Sequence, residues 1–159
     1  MAKSIRLNDK LTLTFPEGFH VMDDEEKKTL RFLENGPGEA LADPEHHIIV
    51  TIGWKSVGGL ASLLLKARDA AKASENNVRK AMESLGYQSE GFGTRQAGPL
   101  KAESFGYTYE AQGTGMYGET CCVKQGRTFY YFNCYIRETA RQEGLKIWEG
   151  ILASAGWTD

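Results

Sequence analysis

Cysteine is scarce and odd in number. The chain has three, Cys121, Cys122 and Cys134, all within one short stretch of its 159 residues. No C-x-x-C spacing occurs, which excludes a disulfide framework and the common zinc arrangements, and the free thiols suit a reducing compartment. Histidine is equally sparse: His20, His46 and His47. The run Asp43-Pro44-Glu45-His46-His47 invites a metal reading. Adjacent residues on a strand face opposite ways, however, and no third ligand is identifiable nearby, so it reads as a solvated strand entry. No sign of charge dominates, with 19 Lys and Arg against 21 Asp and Glu. The basic excess of a nucleic-acid binder is missing. The longest aliphatic cluster, Leu60 to Leu65, is too short to span a bilayer. No apolar stretch of signal-peptide length follows Met1-Ala2-Lys3. With no repeat, low-complexity tract or linker, the expectation is one cytoplasmic domain over residues 1–159.

What is present falls into three blocks. From Ile5 to Lys55 the chain is strand-like. Leu11 to Phe15 alternates, Pro16-Glu17-Gly18 turns the chain, Phe19 to Met22 resumes it, and Thr29 to Leu33 is another candidate that Asn35-Gly-Pro-Gly38 breaks. The densely charged run Asp23 to Lys28 reads as a solvated turn. His47 to Trp54 is β-branched and apolar, the composition of a strand. A helical block follows. Leu60, Leu63, Leu64, Ala67, Ala71, Val78, Ala81, Met82 and Leu85 recur at helical spacing, which predicts one long helix over 58–84. Asn76-Asn77 is its weak point, and Gly86 stops it. The third block, Tyr87 to Arg137, predicts three or four antiparallel strands. A last helix then begins at the capping-box pair Thr139 and Gln142. It carries Leu145, Trp148, Ile151 and Leu152 as its apolar stripe and ends before Gly156.

The stretch "GTGMYGETCCVKQGRTFYYFNCYI" concentrates the ambiguity. Gly113, Gly115 and Gly118 match G-x-G-x-x-G, but a strand follows the glycines where the dinucleotide motif requires a helix. Hairpins explain the stretch better. A two-residue turn at Gln125-Gly126 pairs Val123 with Thr128 and Cys121 with Tyr130. A three-residue connection, Gly113-Thr114-Gly115, pairs Ala111 with Tyr117 and Tyr107 with Cys121. Phe105, Tyr107, Tyr109, Tyr117, Cys121, Val123, Tyr130, Phe132, Cys134 and Ile136 then share one apolar face. Cys134 lies roughly 13 Å along from the partner of Cys121 at the usual strand rise, beyond disulfide reach. The three thiols read as small buried side chains. The other face carries Phe129, Tyr131 and Tyr135, too apolar for a wet surface. A helix on each face gives an α+β architecture, a central antiparallel sheet sandwiched by helices.

Gly53 to Gly59 nearly fits a phosphate loop, but Gly59 and Leu60 occupy the lysine and hydroxyl places. The segment reads as a plain strand-to-helix turn. Glu119 falls on the core face, where burial would raise its pKa, or at the sheet rim with its head in water. Trp54, Tyr131 and Tyr135 are the candidate partner-binding residues, as the possible lining of an aromatic groove. No catalytic, cofactor-binding or metal-ligating residue can be picked out.

The whole pattern resembles the PsbP-like family, which includes DcrB-related bacterial proteins. The segments that carry the resemblance are "LTLTFPEGF", "HHIIVTIGW", "SFGYTYEAQGTGMYGETC", "RTFYYFNCYIR" and "IWEGILASAGW". The resemblance implies a central antiparallel sheet between helices and a non-enzymatic binding or accessory role. Some members are lipoproteins, and a related group serves as chaperones for secreted toxins. The lack of a visible signal peptide departs from the exported members, and the family shares no catalytic motif to carry over. The expectation is a binding or accessory protein with a protein partner and no cofactor. The alternatives are a chaperone-like protein shielding an apolar segment, a small enzyme with a pocket built from distant residues, and a self-associating module.

Overall fold

The structure is a computed structural model that describes residues 2–28 and 37–158. The expected strand Thr29 to Leu33 lies outside them. In chain order the elements are β1 (Lys3–Leu7), β2 (Leu11–Phe15), β3 (His20–Val21), α1 (Asp24–Lys27), β4 (Gly38–Asp43), β5 (Ile48–Ser56), α2 (Gly59–Leu64), α3 (Ala67–Ala81), β6 (Gln88–Ala97), β7 (Leu100–Ala111), β8 (Thr114–Gln125), β9 (Thr128–Arg137), α4 (Arg141–Ala153) and β10 (Gly156–Trp157). Seven strands form one antiparallel sheet in the order β3-β4-β5-β9-β8-β7-β6, and β1, β2 and β10 form a small second sheet. The fold is thus the expected α+β sandwich. Among the described residues no helix is long and apolar enough to cross a membrane.

The main core lies between the large sheet and a lid made of α4 and the small sheet. Ile48, Val50 and Ile52 of β5 and Tyr130, Phe132, Cys134 and Ile136 of β9 meet Leu11 and Leu13 of β2 and Trp148, Ile151 and Leu152 of α4. The stripe read from the sequence is the one α4 buries, with Leu145 at its margin. The expected capping box is absent. A 3₁₀ turn occupies Glu138–Ala140, and Ala140 takes the N-cap position with no side-chain cap. A smaller core on the opposite face packs Ala71 of α3 against Phe105, Tyr107 and Cys122.

Two of the hairpin registers differ from expectation, with unequal consequences. At the β8–β9 turn Gln125 pairs with Thr128 and Val123 with Tyr130, a slip of two that leaves every side chain on its expected face. At the β7–β8 turn Ala111 pairs with Thr114, and Tyr107 with Gly118. That slip of three turns Phe105, Tyr107 and Tyr109 away from Cys121 and onto the α3 face. The cause is the loop itself. Gln112 and Gly113 both take positive φ, 51° and 80°, so the connection is a two-residue turn of the kind that matches strand twist, not a three-residue one.

The expected long helix is two. Leu65 is extended at φ −92°, ψ 136°, and the chain restarts at Lys66, whose backbone N–H donates to Asp69 Oδ2 at 2.8 Å. The Lys124 ammonium closes the other side of the break. It donates to the carbonyls of Ser62 and, at 2.8 Å, Leu65, where a cation complements the helix C-terminus. The break falls at Leu65-Lys66 and not at Asn76-Asn77. The periodic leucines therefore never reach the core. Leu60, Leu63 and Leu64 are 73, 82 and 69% exposed. Gly86 ends the helical block in the left-handed conformation, as expected.

Gly118 is the tightest point of the β7–β8 ladder. A Cβ there would lie 2.4 Å from Cζ of the fully buried Tyr107 ring, which Tyr87, Phe105 and Tyr109 hem in. Gly118→Ala should cost about 2–3 kcal/mol in urea unfolding. Gly150→Ala, with open space at its Cβ, should gain about 0.5–1 kcal/mol through helix propensity. Equal effects at the two positions would contradict the packing described.

Candidate functional site

Glu119 is a carboxylate buried against the main core, only 3% exposed. It is neither at the rim nor protonated. Arg95 grips it with two bonds, Nε to Oε2 at 2.8 Å and Nη2 to Oε1 at 2.9 Å. Trp148 Nε1 donates at 2.7 Å, the Tyr117 hydroxyl at 2.9 Å, and Cys121 Sγ at 3.5 Å. Arg95 also donates to Glu149 at 2.8 Å, and Arg141 lies 4.0 Å over the Tyr117 ring. Burial pushes the Glu119 carboxyl up, but the donors from Arg95, Trp148 and Tyr117 outweigh it and hold the group below the usual carboxylate range. The expectation of a raised pKa fails for that reason. Every lone pair is engaged, so this is a structural lock tying β6, β8 and α4 together, not a general acid. The recess of about 360 Å³ beside it, lined by Thr94, Arg95, Gln96 and Glu149, presents an arginine whose charge is already paired.

The thiols are equally unreactive. Cys121, Cys122 and Cys134 are free and buried. Burial pushes Cys121 and Cys134 well up and Cys122 to about 12, so none is a thiolate at neutral pH. In the observed register Cys134 pairs with Glu119 while Cys121 pairs with Phe132. Asp43 serves its own turn. Its Oδ1 accepts from the backbone N–H groups of Glu45 and His46, and its Oδ2 meets His46 Nδ1 at 2.7 Å. Among the described residues no three His, Cys, Asp or Glu side chains could hold a metal ion together. Gly53 to Gly59 is the end of β5 and the start of α2.

The open feature is on the α3 face of the sheet. α3 packs chiefly on β7 and β8. Its close approach rests on Ala71 and on buried Glu75, which Arg79 and the Tyr87 hydroxyl (2.6 Å) satisfy. Beyond α3 the face continues over β9, β5 and β4, on which no other helix among the described residues packs extensively. The result is a trough. Next to α3 it is a recess of about 400 Å³ between Ser74, Asn77, Val78 and Met82 on the helix and Thr120, Tyr131, Asn133 and Tyr135 on the sheet. Across Tyr135 it opens into a second recess of about 620 Å³, bordered by Ala42, Ile49, Met116 and Arg137, with Asp43 and His47 at its mouth. Asn133 anchors the floor. Thr120 Oγ1 donates to Asn133 Oδ1 at 2.6 Å, and Asn133 Nδ2 donates to Thr51 Oγ1 at 3.1 Å, a polar ladder across three adjacent strands. Burial pushes the phenols of Tyr107, Tyr131 and Tyr135 up and that of Tyr109 to about 12, so all are neutral donors at physiological pH.

The structure therefore brings two of the three sequence candidates together. Tyr131 is half-buried and Tyr135 buried within one trough. Trp54 pairs with Tyr130 and so projects from the opposite face, where its ring lies 6.5 Å from that of Tyr130. Sequence reasoning missed Asn133, Thr120, Val78 and Met82. Alternation places Asn133 beside Tyr131 and Tyr135, which was signal enough to include it. The α3 residues carried no such mark.

No family model matches the chain, and no curated protein matches it. Solved structures do. The chain is similar to LpqN of Mycobacterium tuberculosis, involved in cell envelope biogenesis, at TM-score 0.67 and 13% identity over 100% of this chain and 91% of that one. It is similar to the cyanobacterial PsbP of Synechocystis at TM-score 0.69 and 10% identity, covering 99% and 92%. It is also similar to the Ran-binding protein Mog1p of Saccharomyces cerevisiae at TM-score 0.62 and 10% identity, covering 100% and 96%. At such identities the likeness establishes a shared PsbP-like fold and nothing about activity.

The lock makes a prediction with a sign. A carboxylate held low in the folded state contributes its full stability above the unfolded-chain value of about 4.3 and loses it as pH falls through the lower folded value. Glu119→Gln should cost about 3–5 kcal/mol at neutral pH, because it leaves a half-buried guanidinium short of its main partner. Urea midpoints followed from neutral pH into acid should converge for wild type and variant. Parallel profiles would contradict the lock.

Proposed function

We propose that the chain is a non-enzymatic binding or accessory protein that holds a protein partner in the trough beside α3. The observation that carries the reading is the pair Tyr131 and Tyr135, set with Asn133 on a sheet face that α3 covers only in part. Tyrosines offer broad apolar contact and a polar tip, the qualities that make them interface anchors, and the amide ladder between them is already satisfied and rigid. The trough has no activated nucleophile. Its polar lining is amide, hydroxyl and neutral phenol, joined in the outer recess by Arg137 and His47, and Asp43 there is held by His46. That favours binding over catalysis. The Ran-binding activity of Mog1p and the envelope role of LpqN belong to those proteins, and they support a binding role here only as instances of what the fold can host. Trp54, on the other face, takes no part. The buried free thiols suit a reducing compartment, and we place the protein in the cytoplasm on that ground.

One observation favours the chaperone-like variant of this reading. Three of the four methionines, Met22, Met82 and Met116, line the trough or flank it through Ile49. Flexible thioethers adapt to varied apolar segments. A photo-crosslinking residue placed at Val78 or Tyr131 should capture a protein in living cells, reproducibly and in preference to the same group at exposed Glu110. If neither trough position gives an adduct above that control, or only a small metabolite is trapped, the reading fails.

A further inference from the structure

Apolar exposure on this protein is concentrated in one place. Of the seven large hydrophobic side chains that stand exposed among the described residues, four are Leu60, Leu63, Leu64 and Leu65. α2 buries none of its residues. A six-residue helix in water is not stable by propensity, so something else holds it. That something is polar. The Lys124 ammonium grips the carbonyls of Ser62 and Leu65, the Ser62 hydroxyl donates to the Gly126 carbonyl at 3.3 Å, and the Val57 N–H donates to the Arg127 carbonyl at 2.9 Å. The fold clamps α2 onto the β8–β9 hairpin by its backbone and leaves its leucines facing outward. They line none of the recesses described above.

The charge around the leucines is as uneven as the hydrophobicity. Residues 55–69 together with 124–127 carry five basic side chains, Lys55, Lys66, Arg68, Lys124 and Arg127, and one acidic, Asp69. The rest of the chain has fourteen basic and twenty acidic. The one carboxylate accepts from the Lys66 backbone N–H, and the Arg127 guanidinium lies beside Gly59 at the start of α2. A net-negative protein thus sets a patch of positive charge around the one cluster of bare leucines among its described residues.

We propose that α2 docks the protein onto an anionic lipid surface, with Leu60, Leu63 and Leu64 entering the headgroup–acyl boundary and Lys55, Lys66, Arg68 and Arg127 meeting the anionic headgroups. Apolar side chains ringed by Lys and Arg are the composition of an interfacial element, and the attraction of such a ring to acidic lipid is short-ranged and screened by salt. A second copy of the chain is the poorer occupant, since a two-fold contact would set this positive ring against itself. A peptide partner would need a groove, and the leucines line none of the recesses described above. The inference stands independently of the trough, which lies beyond α3 on another part of the molecule.

The test is flotation of the full chain with vesicles of mixed phosphatidylcholine and phosphatidylserine, and with vesicles of phosphatidylcholine alone. Binding should be confined to the mixed vesicles and fall as salt is raised. The double substitution Leu63→Ser with Leu64→Ser should weaken it by about tenfold or more, as should Lys66→Gln with Arg68→Gln. Because α2 buries nothing, the urea midpoints of both variants should match wild type. Three outcomes overturn the proposal. They are failure of the wild type to float with mixed vesicles, flotation indifferent to both pairs of substitutions, and leucine-dependent dimers by light scattering in lipid-free buffer.

Discussion

The register of the β7–β8 hairpin is the constraint on which the other features rest. Gln112 and Gly113 turn the chain in two residues, and the parity of that turn decides which face each β7 side chain joins. It sends Phe105, Tyr107 and Tyr109 to α3, where they build the smaller core. It sends Ala102, Ser104 and Gly106 to the α4 side, where small side chains leave room for larger neighbours. A Cβ on Gly106 would lie 2.7 Å from the Tyr117 hydroxyl. Only because that side of β7 is lined by small residues can Arg95 reach across from the sheet edge to Glu119. One turn thus sets both the charged lock on the sealed face and the aromatic floor of the open one.

The two faces are finished differently, and the difference is functional in character. The α4 side is closed by leucines of the small sheet, by Trp148 and by a carboxylate with no free lone pair. It is a face that specifies one arrangement and tolerates little change. The α3 side is closed by an alanine-rich helix that lies close to β7 and β8 and leaves Tyr131 and Asn133 of β9 and Ile49 of β5 half-buried. One helix is too narrow to cover the seven strands of the large sheet, and the half-buried strip beside α3 is where tyrosine, asparagine and methionine collect. Binding sites are drawn from such incompletely packed parts of a fold.

Much of the scaffold was legible in local pattern. Alternation identified β2 and the faces of β9, β-branched apolar composition identified β5, and the stripe Trp148, Ile151, Leu152 identified the buried side of α4. The β8–β9 faces survived an error in the turn because the slip was even. The β7–β8 faces did not. Glycines drew the loop to Gly113-Thr114-Gly115, while the residue that bends, Gln112, carries no sign of a positive φ. The long helix failed for a related reason. The periodicity of Leu60 to Leu85 is real, but Asp69 and the distant Lys124 cut it, and a lysine sixty residues away is invisible to a helical window. At the candidate site, Tyr131 and Tyr135 fell together because they share one strand and one parity. Trp54 was grouped with them wrongly in space because the pairing of β5 with β9 is long-range, and nothing local fixes its parity. The partners of Glu119, from an edge strand and the last helix, were beyond reach for the same reason.

The account therefore turns on a strand register that can be read directly in solution. Cross-strand backbone NOEs in the isotope-labelled protein should connect Tyr107 with Gly118 and Phe105 with Thr120, the partners that the two-residue turn dictates. NOEs connecting Tyr107 with Cys121 and Ala111 with Tyr117 would show the three-residue loop instead. They would return the β7 aromatics to the other face, and both the charged lock and the trough would lose their basis.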